Sequence, residues 1–212
     1  GAATYSISIQ APPGVNGLQP ALSLSYSSQG GNGYLGVGWS LGGVSSITRC
    51  QKTIATDGIR LPINYDSVVD PTVAGNDAFC MDGQRLIPIA GTTTTVPCTL
   101  ISSGTCYAWE FRTEVESYSR ILAIGGNSNY SLADLGSGPT RFRVWTKSGQ
   151  ILEFGSRWWP MARPRTTGTD PAQDSVQVLK AWPLDRVEDV FGNYMHIDYG
   201  GSHAEDTLVA AF

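Results

Sequence analysis

Acid–base and nucleophilic chemistry need a titratable side chain held against a reacting atom, and this sequence offers few. His196 and His203 are its two histidines, and His196 stands in the run Tyr194-Met195-His196-Ile197, where an alternating strand gives the imidazole a structural or solvent-facing place. Serines are abundant, yet no G-x-S-x-G elbow or comparable nucleophile context surrounds one. Glu114 with Glu116, and Asp185 with Asp189, have the residue types for acid and base work across a glycosidic bond. Their places, on the polar face of an alternating segment and around a turn, predict solvated carboxylates instead. The four cysteines, Cys50, Cys80, Cys98 and Cys106, form no C-x-x-C and are joined by no His-x-His pair, which argues against zinc. Glycines 30, 31, 33, 36, 38, 42 and 43 are dense enough for a phosphate cradle, but G-x-x-x-x-G-K-[ST] is absent and no helix is predicted after them. The remaining candidate ligand surface is the adjacent pair Trp158 and Trp159, whose rings could stack on a surface glycan. No catalytic residue, metal or cofactor is expected.

The elements that must carry these residues are strands. Of 212 residues only 15% are charged while 25 are glycine, a composition that favours short strands and tight turns. A chain of this size buries roughly 70% of its unfolded surface, so one all-β domain over 1–212 needs no cofactor to fold. Period-two alternation marks Tyr5, Ile7 and Ile9, then Leu22, Leu24 and Tyr26 against Ser23, Ser25 and Ser27. The clearest case sets Trp109, Phe111, Thr113 and Val115 against Glu110, Arg112, Glu114 and Glu116, which predicts one apolar face and one face in solvent. Further strands are expected at 141–146, 150–154, 175–182 and 194–199. Asn-Gly at 16–17 and 32–33, Asp-Gly at 57–58 and 82–83, and Ser-Gly at 103–104, 137–138 and 148–149 supply the positive φ that hairpins demand. Residues 91–95 and 161–174 read as surface loops, and 131–135 and 204–211 are the only helix candidates. The expected fold is therefore all-β, with antiparallel sheets built from short hairpins, sandwich-like or part of a β-shell.

Charge and hydropathy exclude other classes. The net charge is −4, and the densest basic stretch, 157–165, reads as a solvated loop, so no nucleic-acid partner is implied. No apolar run approaches the roughly 20 residues that span a bilayer, and no basic-then-apolar leader opens the chain. A soluble, secreted or surface-displayed protein is expected, in keeping with the even cysteine count.

The most informative stretch is PPGVNGLQPALSLSYSS followed by GNGYLGVGWSL and SSITRC. Its glycines, with Gly36 and Gly38 closest, let backbone pass near Trp39, which is expected to be buried and to organise the motif. DAFCMDGQRL at 77–86, carrying the Asp82-Gly83 turn, TEVESYSRI at 113–121, GPTRFRVWTKSGQILEFG at 138–155 and WPLDRVEDVFGNYMHIDY at 182–199 follow in order. Together these runs resemble the SpvB-type N-terminal domain shared by the B components of bacterial Tc (insecticidal) toxins and by RHS-like proteins. Asp189, Gly192 and Asn193, followed by Tyr199, also resemble the turn of an RHS/YD repeat. The resemblance implies a non-enzymatic delivery module that contributes β-sheet to a shell around a separate toxic payload. Its implied partners are downstream toxin or RHS segments, or other toxin-complex subunits. A carbohydrate or cell-surface binding module using exposed Trp or Tyr is the alternative.

Spacing alone leaves three disulfide connectivities open. The Ser-Gly reversal at 103–104 suits a bridge from Cys98 to Cys106, and the resemblance places Cys50 and Cys80 in two family motifs, which suggests them as the second pair. Mass spectrometry after alkylation of the non-reduced protein is accordingly expected to find no free thiol; four alkylated cysteines would refute both bridges.

Overall fold

The computed structural model describes residues 1–33, 35–64, 77–92, 94–97, 105–125, 139–155, 162–164, 177–179 and 181–199. Seventeen strands run through them in chain order. The first five are β1 (Thr4–Ser8), β2 (Ser23–Ser27), β3 (Asn32–Gly33), β4 (Gly36–Val37) and β5 (Trp39–Gly42). Then come β6 (Ser46–Cys50), β7 (Ala78–Met81), β8 (Gln84–Pro88), β9 (Thr94–Pro97), β10 (Thr105–Thr113) and β11 (Arg120–Gly125). The last are β12 (Arg141–Trp145), β13 (Ile151–Phe154), β14 (Ala162–Pro164), β15 (Gln177–Leu179), β16 (Ala181–Glu188) and β17 (Tyr194–His196). Every strand pairing among the described residues is antiparallel, as the hairpin pattern of the sequence requires.

Eight of the strands follow one another as β11-β12-β13-β16-β6-β7-β8-β10, and β10 then pairs with β11, so the sheet closes on itself. The larger core cluster lies inside this single closed sheet rather than between two facing ones, and a smaller one, Ala108, Leu122 and Ile124, lies on the outer face of β10 and β11. Eight strands enclose just the width that side chains can fill. Inward positions alternate as expected: Trp109, Phe111 and Thr113 on β10, Ile121 and Ala123 on β11, Phe142 and Val144 on β12. At the centre stands Trp182, with no exposed surface, edge-on to Phe79 and Phe142 at ring separations of 5.5 and 5.0 Å. Its indole N–H donates to the Pro139 carbonyl at 2.9 Å, which satisfies the one polar atom such a ring would otherwise bury unpaired. Gly155, at φ +65°, passes so close that a Cβ there would come within 2.6 Å of the Trp182 ring.

Arg49 closes one end of this core. Its guanidinium lies 5.7 Å from the Phe79 ring and 5.8 Å from that of Trp182, and it forms a 2.9 Å ion pair with Asp77, both side chains buried. Asp77 also accepts the Asn64 amide at 2.8 Å, so the buried carboxylate is bonded through both oxygens. One residue along, Cys50 and Cys80 form a disulfide across β6 and β7, with Cα atoms 5.9 Å apart. A 30-residue separation makes that bridge worth about 3–4 kcal/mol in the chain-entropy picture. Cys106 is disulfide-bonded as well, while Cys98 lies outside the described residues.

Several local expectations change. Trp39 is half-buried, not a core residue, because it lies on one face of a separate three-stranded sheet, β1-β2-β5, too small to enclose a ring. The ring for which Gly38 makes room is that of Tyr26: a Cβ on Gly38 would meet it at 2.6 Å. Thr94 and Thr95, expected in a loop, belong to β9, since β-branched threonines pair well along β10. Val115 falls beyond the end of β10 and is exposed. Asp57-Gly58 ends a helical turn, α1 (Ile54–Asp57), instead of a hairpin. Thr53 caps that turn, accepting the Thr56 amide and donating its own to Asp57, and Gly58 terminates it in the left-handed conformation. Burial pushes the Asp57 carboxyl up, but the Arg85 guanidinium, the Thr53 amide and Lys52 together outweigh it and hold it below its ordinary range. Asn32-Gly33 lies within β3, not at its turn. The helix candidates 131–135 and 204–211, the Ser-Gly pairs at 103–104 and 137–138, and most of the loop at 161–174 lie outside the described residues.

Replacing Trp182 by Ala is expected to cost about 3–5 kcal/mol, because it empties the middle of the closed sheet. Urea unfolding of the variant measures this loss. A cost below about 1 kcal/mol would mean that the ring is not the centre of the core.

Candidate functional site

Two barrel strands are longer than the ring needs. β10 pairs with β11 on one side, and on the other with β8 and then, in line with it, β9. β16 pairs with β13 on one side, and on the other with β6 through 181–183 and then β17 through 186–188. Each long strand thus carries a short extra strand past the end of its barrel neighbour. β17 has no partner but β16 among the described residues, and this hairpin is the best-defined candidate site.

Its turn is built on Asp189. One carboxylate oxygen accepts the amides of Phe191 and Asn193, both at 2.9 Å. The other accepts the side-chain amides of Asn193 at 2.9 Å and Asn16 at 3.2 Å. Gly192, at φ +83°, supplies the reversal and donates its amide to the Asp189 carbonyl at 3.1 Å. Asp189, Gly192 and Asn193 are therefore brought together in one turn, and Asn16 ties it to the first Asn-Gly. The Asn193 bond, helped by Asn16 and the two backbone amides, outweighs the opposing effect of desolvation and lowers the Asp189 pKa. Asp82 and Gly83 work similarly at β7–β8. Both have positive φ between the paired Met81 and Gln84, a two-residue mirror-image turn, and Asp82 accepts the Ser46 amide at 2.9 Å.

The root of the hairpin is a bulge. Glu153 faces Arg186 while its neighbour Phe154 faces Leu184, so Asp185 is the extra residue in β16. It is only 2% exposed, against the expectation of a solvated carboxylate paired with Asp189, because the bulge turns it into the interior. Tyr199 crosses behind it and donates its hydroxyl to the Leu184 carbonyl at 2.6 Å. Burial, and then the Asp185 charge, push the Tyr199 phenol far above its ordinary pKa, so it acts as a fixed donor. His196 packs against Tyr194 at 5.0 Å and faces Arg186 across the ladder, the structural place foreseen for it. Glu114 accepts the Thr56 hydroxyl and Glu116 lies 3.7 Å from Arg112.

The tip is apolar and open: Val190, Phe191 and Tyr194 are exposed, Phe191 by 76%. The sequence signalled the turn but not this surface, since an exposed Val-Phe pair reads like core until its neighbours are known. The expected ligand platform, Trp158 and Trp159, lies outside the described residues. A depression of about 460 Å³, lined by residues within 8–11 and 19–23, has no aromatic ring to stack on a sugar and no ionisable group. Among the described residues, no three His, Cys, Asp or Glu side chains are grouped to hold a metal ion, and no helix is long and apolar enough to cross a membrane.

A family profile described as SpvB, Salmonella virulence plasmid 65kDa B protein, matches residues 1–208. No curated protein matches the sequence. Among solved structures, the Photorhabdus luminescens Tc holotoxin pore shares the fold at TM-score 0.62 and 21% identity, over 94% of this chain and 8% of that one. The TcdB2-TccC3 crystal structure does so at 0.61 and 21%, over 94% and 9%. The N-terminal domain of the effector protein SpvB from Salmonella typhimurium does so at 0.60 and 24%, over 91% and 53%. The chain thus spans under a tenth of the Tc chains and about half of the SpvB one.

Removing the Asp189 carboxylate tests the turn. Because its folded pKa is lowered, its contribution is complete above the ordinary carboxylate range and disappears as pH falls through the folded value. Asp189→Ala is expected to melt below the parent protein at neutral pH, with the gap closing in acid; a gap independent of pH would count against this role.

Proposed function

We propose, from the premise that this chain belongs to the SpvB family, that it is a non-enzymatic structural module of a bacterial toxin delivery protein, contributing β-sheet to a shell that encloses or anchors a toxic payload. The β16–β17 hairpin carries this reading. The barrel hides its own edges by closure, yet β16 continues past it and presents β17 with an open side. The bonds Asp189 N–H to Asn193 C=O and Ile197 N–H to Asp185 C=O set the ladder's phase. In that phase Tyr194 and His196 direct their backbone N–H and C=O away from β16, where another strand can pair with them. Exposed Val190, Phe191 and Tyr194 beside that edge give an incoming sheet apolar surface to cover.

The partners that fit are downstream toxin or RHS segments, or other subunits of a toxin complex, since strand continuation needs an extended backbone rather than a small ligand. A disulfide between β6 and β7 suits an oxidising, extracellular destination. The buried Asp185 and Tyr199 serve as bulge and anchor, roles that need no substrate.

Hydrogen exchange over 181–199, in this chain alone and joined to the toxin segments it serves, tests the proposal. Protection of Tyr194 and His196 is expected only in the joined form. Equal protection in both, together with turnover or tight glycan binding by the isolated chain, would overturn the shell reading.

A further inference from the structure

The three-stranded sheet β1-β2-β5 is divided by face with unusual strictness. The register sets Tyr5, Tyr26 and Trp39 in one row and Ile7, Leu24 and Leu41 in the next, all on one face. The opposite face carries Ser6, Ser25 and Ser40 in one row and Ser8, Ser23 and Gly42 in another. The aromatic row is tied by Tyr26 and Trp39, whose rings are 5.3 Å apart. Toward β1 the apolar face opens to solvent, with Tyr5 64% and Ile7 41% exposed.

β1 is also an undefended edge. Its register with β2 is continuous, without a bulge, and among the described residues it has no other partner. Ser28 N–H bonds the Ala3 carbonyl and Ile9 N–H bonds that of Leu22, so the odd-numbered residues face β2. Thr4, Ser6 and Ser8 therefore point their backbone N–H and C=O outward. Edge strands normally carry a Lys, a Pro or a bulge that blocks further pairing. Thr4–Ser8 has none, and the first charged side chain in the whole sequence is Arg49.

We propose that β1 is a self-association edge that pairs antiparallel with β1 of a second copy about a two-fold axis through Ser6. With Ser6 opposite Ser6 of the second copy, Thr4 faces Ser8 and Tyr5 faces Ile7, and each reciprocal pair repeats. The outward backbone groups of Thr4, Ser6 and Ser8 then meet their counterparts in the bonded positions of the ladder. Apolar side chains meet apolar ones, hydroxyls meet hydroxyls, and the two rows run unbroken across six strands. A charge on the axis of such a pairing would face the same charge of the second copy, which is unfavourable. An uncharged edge escapes this. The match in face, backbone phase and charge is why a second copy is the occupant, in preference to a foreign strand.

Sedimentation equilibrium of the chain over micromolar to millimolar concentrations reads the proposal directly. The mass is expected to rise from 22.7 kDa toward twice that value. Hydrogen exchange at the high end should protect Thr4, Ser6 and Ser8 while leaving Tyr194 and His196 unchanged. Ser6→Pro removes only an N–H that points away from β2, and Ile7→Lys places a charge in the apolar row; both should remain monomeric, with buried Trp182 fluorescence reporting an intact barrel. A mass constant at one chain, or a dimer that survives either variant without protection at β1, would overturn the proposal. A foreign strand as the true occupant would give the first of these results.

Discussion

Closure of the sheet is the constraint on which this molecule depends. Short antiparallel strands bury one face each and leave their outermost members unpaired, and a ring of eight removes both problems. The pairing of Phe111 with Ile121, and its neighbours along β10 and β11, completes that ring. Once closed, the interior has room for a few large rings in fixed orientation, and Trp182, Phe79 and Phe142 fill it edge to face. The Arg49–Asp77 pair is buried against these rings, whose faces compensate part of the guanidinium's desolvation.

A closed barrel has no edge to offer, so any role in assembly must come from what extends beyond it. The extra length of β10 and β16 extends beyond it, each strand holding a short partner outside the ring. The bulge at Asp185 bends β16 as it leaves the barrel, and the Asp189 turn returns the chain without a long loop. Stability resides in the ring, and the open edges lie where their pairing would not disturb the core. The chain belongs to the SpvB family, and much longer Tc toxin chains share its fold.

The opening motif has a different character. Its glycines and serines produce a thin, uncharged sheet whose aromatic row is only half covered, and Gly38 is buried under the Tyr26 ring because no side chain fits there. The most conspicuous tryptophan of the sequence, Trp39, is therefore a surface-sheet residue, whereas Trp182, embedded in an ordinary-looking strand, organises the core.

Alternation and turn chemistry determined the all-β class, most strand positions, the Asp82-Gly83 and Ser148-Gly149 reversals, and the Asp189 turn, because each depends on contacts within a few residues. Resemblance of ordered motifs identified the family and paired Cys50 with Cys80. Ring closure, the interior place of Asp185, the half-exposure of Trp39 and the one-turn helix at Asp57 were decided only by the tertiary structure. The physical reason is common to them all. A strand's alternation tells which side chains share a face, but what covers that face depends on the curvature and pairing of strands far apart in the chain. The tertiary structure alone brings Trp182 to Ile47 and to Phe79.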